Sequence, residues 1–285
     1  MQDFNHLSET ELRVNLSNCC GSQTWVRAVI EKLPYVDAQS LLQKAQSAWY
    51  NECIEADWLE AFMHHPRIGD KKNVSEKAKD SIHLAVGEQS GVEDGDTRLL
   101  LRLHAANIAY EANFGFTYII CATGKSGEEM LDLLEDRLKN TVEEEMRIAM
   151  GEQWKITLIR LKKWLHEVVF SHINSQVTTH ILDTSVGKPA RGIAVSLFQF
   201  KNDVWKKIAT GRTNEDGRIP DLLPPVLKIE KTKYKLVFET DGYFTNGGRE
   251  SFYPEVQIIF NIEDQSHYHV PLLLNPFGYS TYRGS

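Results

Sequence analysis

The C-terminal end of the chain collects side chains that can do acid–base chemistry. His267 and His269 lie in the segment HYHVPLLL (residues 267–274), and the chain closes with the tetrapeptide YRGS (residues 282–285). Chain ends are usually frayed. Here, however, a run of Val and Leu bounded by prolines predicts a packed strand that holds these groups in one place. The segment therefore indicates a functional site.

A third histidine and a further arginine lie earlier in the same half. In TTHILD (residues 178–183), His180 shares a strand face with residues 178 and 182, because side chains alternate across a strand. Arg218 follows the tight turn NEDG (residues 214–217), which would hold its guanidinium at the end of a strand. Histidines, an arginine and a terminal hydroxyl can polarise a carbonyl, activate water and stabilise an oxyanion.

Two other interpretations of these histidines stay open from the residues alone. His-x-His with a third histidine is also a ligand set for a catalytic zinc ion, although no acidic partner for the ligands stands out. A β-sandwich binding module whose histidines merely pair across strands is the second alternative.

The first half carries one histidine in an unusual position. His65 directly precedes Pro66 at the end of an amphipathic helical segment. The proline ring keeps the preceding residue out of the helical conformation and so restricts the direction of its side chain. An imidazole held in this way suits proton transfer near neutral pH. The alternative is that His65 only caps the preceding helix, where the helix dipole favours it.

The spacing of apolar residues along the sequence changes about halfway along the chain. Residues 7–165 show apolar side chains at spacings of three and four, which predicts helices. Capping boxes mark several helix starts; they pair Ser8 with Glu11, Ser126 with Glu129 and Thr141 with Glu144. Breaks fall at residues 69–70 and 91–96.

From residue 177 onward the apolar period is two, and Gly- and Asn-rich turns separate short strands, which predicts a β-sandwich. The predicted fold class is therefore a multidomain protein with an N-terminal all-α helical bundle and a C-terminal antiparallel β-sandwich. The predicted boundaries are residues 1–166 for the helical domain, 167–177 for a linker and 178–285 for the sandwich. A length of 285 residues suits two domains.

Composition narrows the function classes. The net charge of −7 is spread along the chain without a basic stripe, which argues against nucleic-acid binding. No apolar stretch reaches the ~18 residues of a membrane span. The four cysteines show no CxxC spacing, so we expect reduced, mostly buried thiols. The polar start of the chain is unlike a secretory signal. We therefore expect a cytoplasmic protein whose partners are small molecules.

The second half resembles the 5-hydroxyisourate hydrolases of the transthyretin fold. The resemblance rests on HYHVPLLL, the YRGS ending, NEDGR, GKPA and FYPEV, and it runs from about residue 178 to 285. Transthyretins proper lack the YRGS ending, so the enzyme is favoured over a hormone carrier. The resemblance implies catalytic roles for His180, Arg218, His269 and Ser285. It implies substrate-binding roles for His267, Tyr282 and Arg283.

The first half resembles the 2-oxo-4-hydroxy-4-carboxy-5-ureidoimidazoline (OHCU) decarboxylases. The blocks HPRIGD, GEQSG and FGFTYIICA carry this resemblance, which runs from about residue 4 to 165. It implies catalytic roles for His65, Glu88 and Arg160. It also implies substrate contacts from Pro66, Gln89, Ile119 and Ile120. The family commonly has a serine where this chain has Ala85, so a hydrogen bond to the substrate is either missing or supplied by Ser81 or Ser90.

The implied decarboxylation needs neither metal nor cofactor, because the substrate ring accepts the electrons that CO2 leaves behind. Arg160 would hold a carboxylate or carbonyl in a two-pronged hydrogen bond. Glu88 would accept from the ureido N–H groups, and His65 would exchange the proton. A single bound pose would give one enantiomer of allantoin.

Together the two resemblances imply a bifunctional enzyme of urate degradation. It would convert 5-hydroxyisourate to OHCU and then OHCU to (S)-allantoin, and it would form a homo-oligomer, either a dimer or a tetramer. The alternative is a transthyretin-like ligand-binding scaffold with one or both sites inactive, and Ala85 is the feature that favours it. Peroxisomal targeting occurs among relatives, so the peroxisome is the alternative to the cytoplasm.

Overall fold

A computed structural model describes residues 2–68, 97–165, 175–224 and 227–284. The chain divides into two compact units, Met1–His172 and Ile173–Ser285. The first described strand begins at Val177, the last residue of the predicted linker. The exact domain boundaries stay a prediction, because residues 166–174 lie outside the described residues.

The described part of the first unit is helical, as predicted. Its helices are α1 (Gln2–His6), α2 (Glu9–Cys19), α3 (Gln23–Ile30), α4 (Ala38–Ser47), α5 (Glu55–Met63), α6 (Thr97–Phe114), α7 (Gly127–Arg137) and α8 (Val142–Leu165). A π-helical turn, Ala48–Glu52, continues α4. None of the described helices is long and apolar enough to cross a lipid bilayer.

The predicted capping boxes are confirmed. Ser8 and Ser126 each accept from a backbone N–H three residues on, and the glutamate at that position bonds back to the serine N–H. Thr141 makes the same reciprocal pair with Glu144, at 3.3 and 3.0 Å. Each box satisfies backbone donors that a helix start leaves without an intrahelical partner.

Buried tryptophans tie the helices together. Trp25 of α3 donates its indole N–H to the carbonyl of Ala45 at 2.8 Å, and Trp49 donates to the carbonyl of Met150 at 3.1 Å. Both side chains are fully buried. Because each indole joins apolar contact to one directed bond, these contacts fix α4 against α3 and α8.

A buried ion pair holds α7 to α8. Arg137 and Glu145 are 2% and 0% exposed, and Arg137 Nε donates to Glu145 Oε1 at 2.8 Å. Arg137 Nη1 also donates to the carbonyl of Ile119 at 2.7 Å, and Tyr110 donates its hydroxyl proton to Glu145. The guanidinium lies 4.6 Å from the ring centroid of Tyr118. Both charged groups thus have several hydrogen-bond partners. A buried ion pair requires them, because they offset the cost of removing the charges from water.

The second unit contains β1 (Val177–Asp183), β2 (Lys188–Pro189), β3 (Ala194–Lys201), β4 (Val204–Arg212), β5 (Arg218–Ile219), β6 (Lys233–Glu239), α9 (Asp241–Asn246), β7 (Glu255–Asn261), β8 (Tyr268–His269), β9 (Leu272–Asn275) and β10 (Gly278–Thr281). The strands predicted at residues 193–198, 234–238 and 256–260 correspond to β3, β6 and β7.

Within the described residues these strands form two sheets. One is antiparallel in the order β4-β3-β6-β7. The other runs β10-β9-β1-β2, and β5 and β8 also pair with β1. In this sheet β1 is antiparallel to β2 and β5 and parallel to β8 and β9. The predicted antiparallel sandwich is confirmed, with parallel pairing added around β1.

Side chains from both sheets meet in one core, so the sheets pack face to face. The six-stranded sheet contributes Val177, Ile181, Leu272 and Leu274, and the four-stranded sheet contributes Val195, Leu197, Leu236 and Phe238. All four cysteines of the chain are free and buried, as predicted.

Replacing Arg137 with Met is expected to lower the free energy of unfolding of the helical unit by about 3–5 kcal/mol, because it leaves the Glu145 carboxylate buried without its cation. Urea unfolding followed by far-ultraviolet circular dichroism measures this loss. Lys139→Met is the control, since Lys139 pairs with Asp136 but is 70% exposed; it should cost less than about 1 kcal/mol. Equal losses for the two variants would contradict a structural role for the buried pair.

Candidate active sites

Strand β1 presents one face to the core and the other to a cluster of polar side chains. Val177, Thr179 and Ile181 are buried, whereas Thr178 and His180 alternate with them and are partly exposed. The alternation predicted from TTHILD is therefore present, and His180 lies on the face away from the core.

Strand pairing brings the other predicted residues to this face. In the β1–β5 ladder His180 is the partner of Arg218, and in the β1–β8 ladder Thr178 is the partner of His269. His267 lies two residues before His269, and the two rings stack with centroids 6.3 Å apart. The structure thus brings together His180, Arg218, His267 and His269.

Thr178 connects two of the histidines. Its hydroxyl lies 2.8 Å from His267 Nε2 and 2.9 Å from His269 Nδ1. One hydroxyl can donate to one ring nitrogen and accept from the other, so it couples the tautomers of the two imidazoles. Thr178 was not among the predicted site residues. Its place two residues before His180 was the available signal.

The turn before Arg218 is held by Asn214. The Asn214 side-chain oxygen accepts from the N–H groups of Asp216 and Arg218 at 3.1 and 2.9 Å. Gly217 has a φ of 68°, and a Cβ there would lie 2.4 Å from the carbonyl oxygen of Ile181. This carbonyl oxygen belongs to β1 itself, so the glycine lets the turn approach the strand that carries His180.

Burial and charge keep two of these imidazoles neutral. The pKa of His180 is lowered, first by burial and then by the nearby Arg218 guanidinium, while a hydrogen bond to the Asp216 carbonyl opposes the shift. The pKa of His269 is lowered by burial, by Arg218 and by the other two histidines. A neutral imidazole has a lone pair and can accept a proton.

The C-terminal segment returns to the same place. The Gly284 N–H donates to the His269 carbonyl at 2.9 Å, and a Cβ on Gly284 would lie 2.5 Å from the His269 ring. The Arg283 guanidinium lies 5.0 Å from the ring centroid of Tyr268. Tyr282 is 58% exposed. Ser285 lies outside the described residues, so its predicted role stays a prediction.

In the helical unit His65 faces α8. Burial lowers the pKa of His65 to about 3, and the neighbouring Arg160 and His64 act in the same direction. A hydrogen-bond interaction with the Gln153 side chain opposes the shift. The imidazole is thus directed at α8, which the alternative of a simple helix cap does not require. The predicted pair of His65 and Arg160 is brought together.

Arg160 is buried and lies close to the end of α2. It is 6% exposed, and its Nη1 lies 3.5 Å from the carbonyl oxygen of Asn18. Its charge also lowers the pKa values of the thiols of Cys19 and Cys20, although burial dominates and raises each to about 12. These thiols stay protonated at neutral pH, which rules them out as nucleophiles there.

The remaining predicted residues of the helical unit divide in two groups. Ile119 and Ile120 are buried, and the Ile119 carbonyl accepts from Arg137 at 2.7 Å. Pro66 directly follows His65 in a short segment without regular structure. Glu88 and Gln89 lie outside the described residues, as do Ser81, Ala85 and Ser90. Their predicted roles stay predictions.

Gln153 and Thr157 were not predicted as site residues. They precede Arg160 by seven and three positions on α8, so all three lie on one face of the helix. That spacing was the available signal. Within the described ranges, no three or more His, Cys, Asp or Glu residues form a group able to hold a metal ion.

Comparisons with known proteins cover both halves. Residues 5–162 match the OHCU decarboxylase family, and residues 177–284 match the HIUase/Transthyretin family, in which HIUase denotes 5-hydroxyisourate hydrolase. The two predicted resemblances are confirmed. The OHCU decarboxylase match alone spans more than half of the chain.

The chain is also similar to individual proteins. The chain is 31% identical to the uric acid degradation bifunctional protein TTL of Arabidopsis thaliana, over 94% of this chain and 96% of that protein. It is 45% identical to the 5-hydroxyisourate hydrolase of Mus musculus, over 39% of this chain and 97% of that one. A solved structure of (S)-allantoin synthase is 24% identical and covers 100% of this chain and 99% of its own, with a TM-score of 0.44.

Gly217→Ala is expected to destabilise the β-sandwich by about 1–2 kcal/mol for the positive φ and by about 1–3 kcal/mol more for the clash with Ile181. Gly248→Ala is the matched control, because Gly248 has a φ of 66° but nothing within 4 Å of an added Cβ. Denaturant unfolding followed by near-ultraviolet circular dichroism compares the two. If Gly217→Ala costs no more than Gly248→Ala, the close approach does not constrain the turn.

Proposed function

The chain belongs to the OHCU decarboxylase family, and we propose that it is a bifunctional enzyme of urate degradation. The C-terminal unit hydrolyses 5-hydroxyisourate to OHCU, and the N-terminal unit decarboxylates OHCU to (S)-allantoin. The observation that carries this proposal is the match to a bifunctional uric acid degradation protein over 94% of the chain. His65 and Arg160 fall inside the OHCU decarboxylase match, residues 5–162, and His180, Arg218 and His269 fall inside the HIUase/Transthyretin match, residues 177–284.

The geometry of the sandwich site supports ring opening by water. His180 donates one ring N–H to the Asp216 carbonyl, so the neutral ring keeps a lone pair on its other nitrogen. That nitrogen takes a proton from water as the oxygen attacks the ring carbonyl of the substrate. Arg218 stabilises the charge that develops on the carbonyl oxygen. The carbon–nitrogen bond then breaks, and the amide nitrogen takes up the proton.

His269 is placed to assist the same step. Its Nδ1 is engaged by Thr178 at 2.9 Å, which fixes the ring orientation and leaves Nε2 for the substrate. His267 shares the Thr178 hydroxyl at 2.8 Å and so supports this orientation. We propose substrate-binding roles for His267, Tyr282 and Arg283, and a catalytic role for Ser285, on the strength of the family resemblance.

The helical site supports loss of CO2 from a bound carboxylate. Arg160 supplies a buried cation that binds an anionic group and fixes its direction. The bond between the carboxyl carbon and the ring breaks, and its electron pair moves into the adjacent imine. His65, which is neutral above pH ~3, accepts the proton of the substrate hydroxyl, whose oxygen becomes a ring carbonyl, and delivers it to the neighbouring former imine carbon, while the ring nitrogen takes up a proton from water. Protonation from one side yields one enantiomer.

We also propose a homo-oligomer, either a dimer or a tetramer, located in the cytoplasm, with the peroxisome as the alternative. Exposed aromatic side chains on the second unit support association, since Phe252 and Phe277 are 70% and 72% exposed. Light scattering of the purified protein tests the oligomeric state. Cell fractionation tests the location.

Urate and uricase mixed with the protein should give (S)-allantoin rapidly, and circular dichroism of the product follows its formation. His65→Ala should leave 5-hydroxyisourate loss unchanged while OHCU accumulates, because only the second step loses its base. His180→Ala should slow only ring opening, and each loss should be about 10²- to 10⁴-fold. Racemic product formed at the rate of a protein-free control would instead support the scaffold with inactive sites.

The hydrolase should keep its activity below pH 6.5, the ordinary pKa of a histidine, because the lowered pKa values of His180 and His269 leave both rings neutral there. Arg218→Met removes a positive charge that lowers both values, so the acidic fall in kcat/KM should move to higher pH. Initial rates of 5-hydroxyisourate loss across pH measure this. Arg13→Met, a surface change in the helical unit, is the charge-matched control. If the acidic fall in kcat/KM of Arg218→Met stays at the same pH, the Arg218 charge does not control the pKa values of these two histidines.

A further inference from the structure

Gln153 is a buried polar residue that the proposed mechanism does not use. It lies on α8 and is 0% exposed. Its Nε2 donates to Thr157 Oγ1 at 3.2 Å, while its Oε1 has no hydrogen-bond partner among the described residues. A buried amide oxygen without a partner has given up its hydrogen bonds to water and gained none in exchange, which is unfavourable.

Thr157 determines which way the Gln153 amide points. The Thr157 hydroxyl donates its proton to the Gln153 backbone carbonyl at 3.0 Å. The hydroxyl can therefore only accept from the Gln153 side chain, and of the two amide atoms only Nε2 can donate. The amide oxygen must then face away from Thr157.

His65 also interacts with the Gln153 side chain. The imidazole takes part in a hydrogen-bond interaction with the Gln153 side chain. Its Nε2 is buried and, like Gln153 Oε1, makes no hydrogen bond of good distance and angle among the described residues. The two interacting side chains thus each carry a buried polar atom without a hydrogen-bond partner, and in chemical type these atoms are a possible donor and a possible acceptor.

Burial, together with the charges around His65, lowers the pKa of the ring and leaves it with a single proton at neutral pH. Arg160 on α8 and His64 at the end of α5 are the described titratable groups that act on the imidazole, and both disfavour a second proton on it. A neutral ring has one N–H. If that N–H is directed at Gln153, the opposite nitrogen carries the lone pair.

We propose that Gln153 is a positioning residue for decarboxylation: its side-chain oxygen accepts a hydrogen bond from His65, which fixes the tautomer and orientation of the imidazole and aims the basic nitrogen at the substrate. Gln153 acts through His65 and does not itself touch the reacting atoms. The inference rests on the proposed function, since it requires His65 to be the proton acceptor. Thr157 contributes to this positioning, because it holds the Gln153 amide with its oxygen free to accept.

The test compares two isosteric replacements of Gln153 in the full-length protein. Gln153→Met removes the acceptor and should lower kcat for OHCU decarboxylation about 10- to 100-fold, as for other residues that orient a functional histidine. KM should change less, because no substrate contact is lost. Gln153→Glu keeps an acceptor, so it should retain more activity than Gln153→Met. Its carboxylate favours the protonated imidazole, so the acidic fall in kcat should move to higher pH.

A purely structural role predicts the opposite order. A buried carboxylate would then disturb packing more than a thioether, so Gln153→Glu would be the weaker enzyme and its pH profile would not move. Thr157→Val is the companion variant. It frees the amide to turn over and should lower kcat by less than Gln153→Met. The hydrolase activity of each variant serves as the internal control, because that step belongs to the other unit.

The outcomes separate this inference from the proposed function. If His65→Ala decarboxylates OHCU at the normal rate, the proposed role of His65 fails and the inference fails with it. If His65→Ala is inactive while Gln153→Met matches the unmodified protein, only the inference is overturned. It is also overturned if Gln153→Glu is no more active than Gln153→Met and shows no shift in its acidic limb.

Discussion

The pairing of β1 with its neighbours is the constraint on which the second unit depends. This one strand is bonded to β2, β5, β8 and β9. Its buried side chains belong to the core, and its opposite side chains belong to the site. A register slip of one residue would move His180 into the core and Ile181 into the site. Core packing therefore holds the catalytic register, because burying an imidazole and exposing an isoleucine are both unfavourable.

The same ladder places groups that are far apart in the sequence. Arg218 reaches His180 because β5 is antiparallel to β1, and His269 reaches Thr178 because β8 is parallel to it. Gly217 lets the turn before β5 come within contact of Ile181. Backbone hydrogen bonds thus bring the site together without a long side chain having to bridge a gap, which keeps the entropy cost of ordering the site low.

In the helical unit, α8 has the role that β1 has in the second unit: it carries site residues and is held in place by contacts with its neighbours. Its beginning is fixed by the buried pair of Glu145 with Arg137, and its middle receives the Trp49 indole at Met150. Gln153, Thr157 and Arg160 then follow on one face of a helix that these contacts hold in place. Burial has the same electrostatic effect on the histidines of both units. It lowers the pKa values of His65, His180 and His269, so the imidazoles at the two sites are neutral bases under conditions where an exposed histidine would be partly charged.

The sequence by itself determined the two-part architecture, the helix caps, the main strands and the family of each half. These follow from local chemistry: capping boxes act over three residues, hydrophobic periods show in any short window, and a motif such as HYHVPLLL with a YRGS ending is contiguous. Alternation along TTHILD also predicted correctly that His180 shares a face with residue 178, opposite Ile181. Only the tertiary structure decided which residues support the chemistry. Thr178 is one of many threonines until parallel pairing puts it between two imidazoles, and Gln153 is an ordinary helical glutamine until packing buries it and brings its side chain to His65. The charge state of each histidine was likewise beyond the sequence, because desolvation depends on the neighbours that folding brings together.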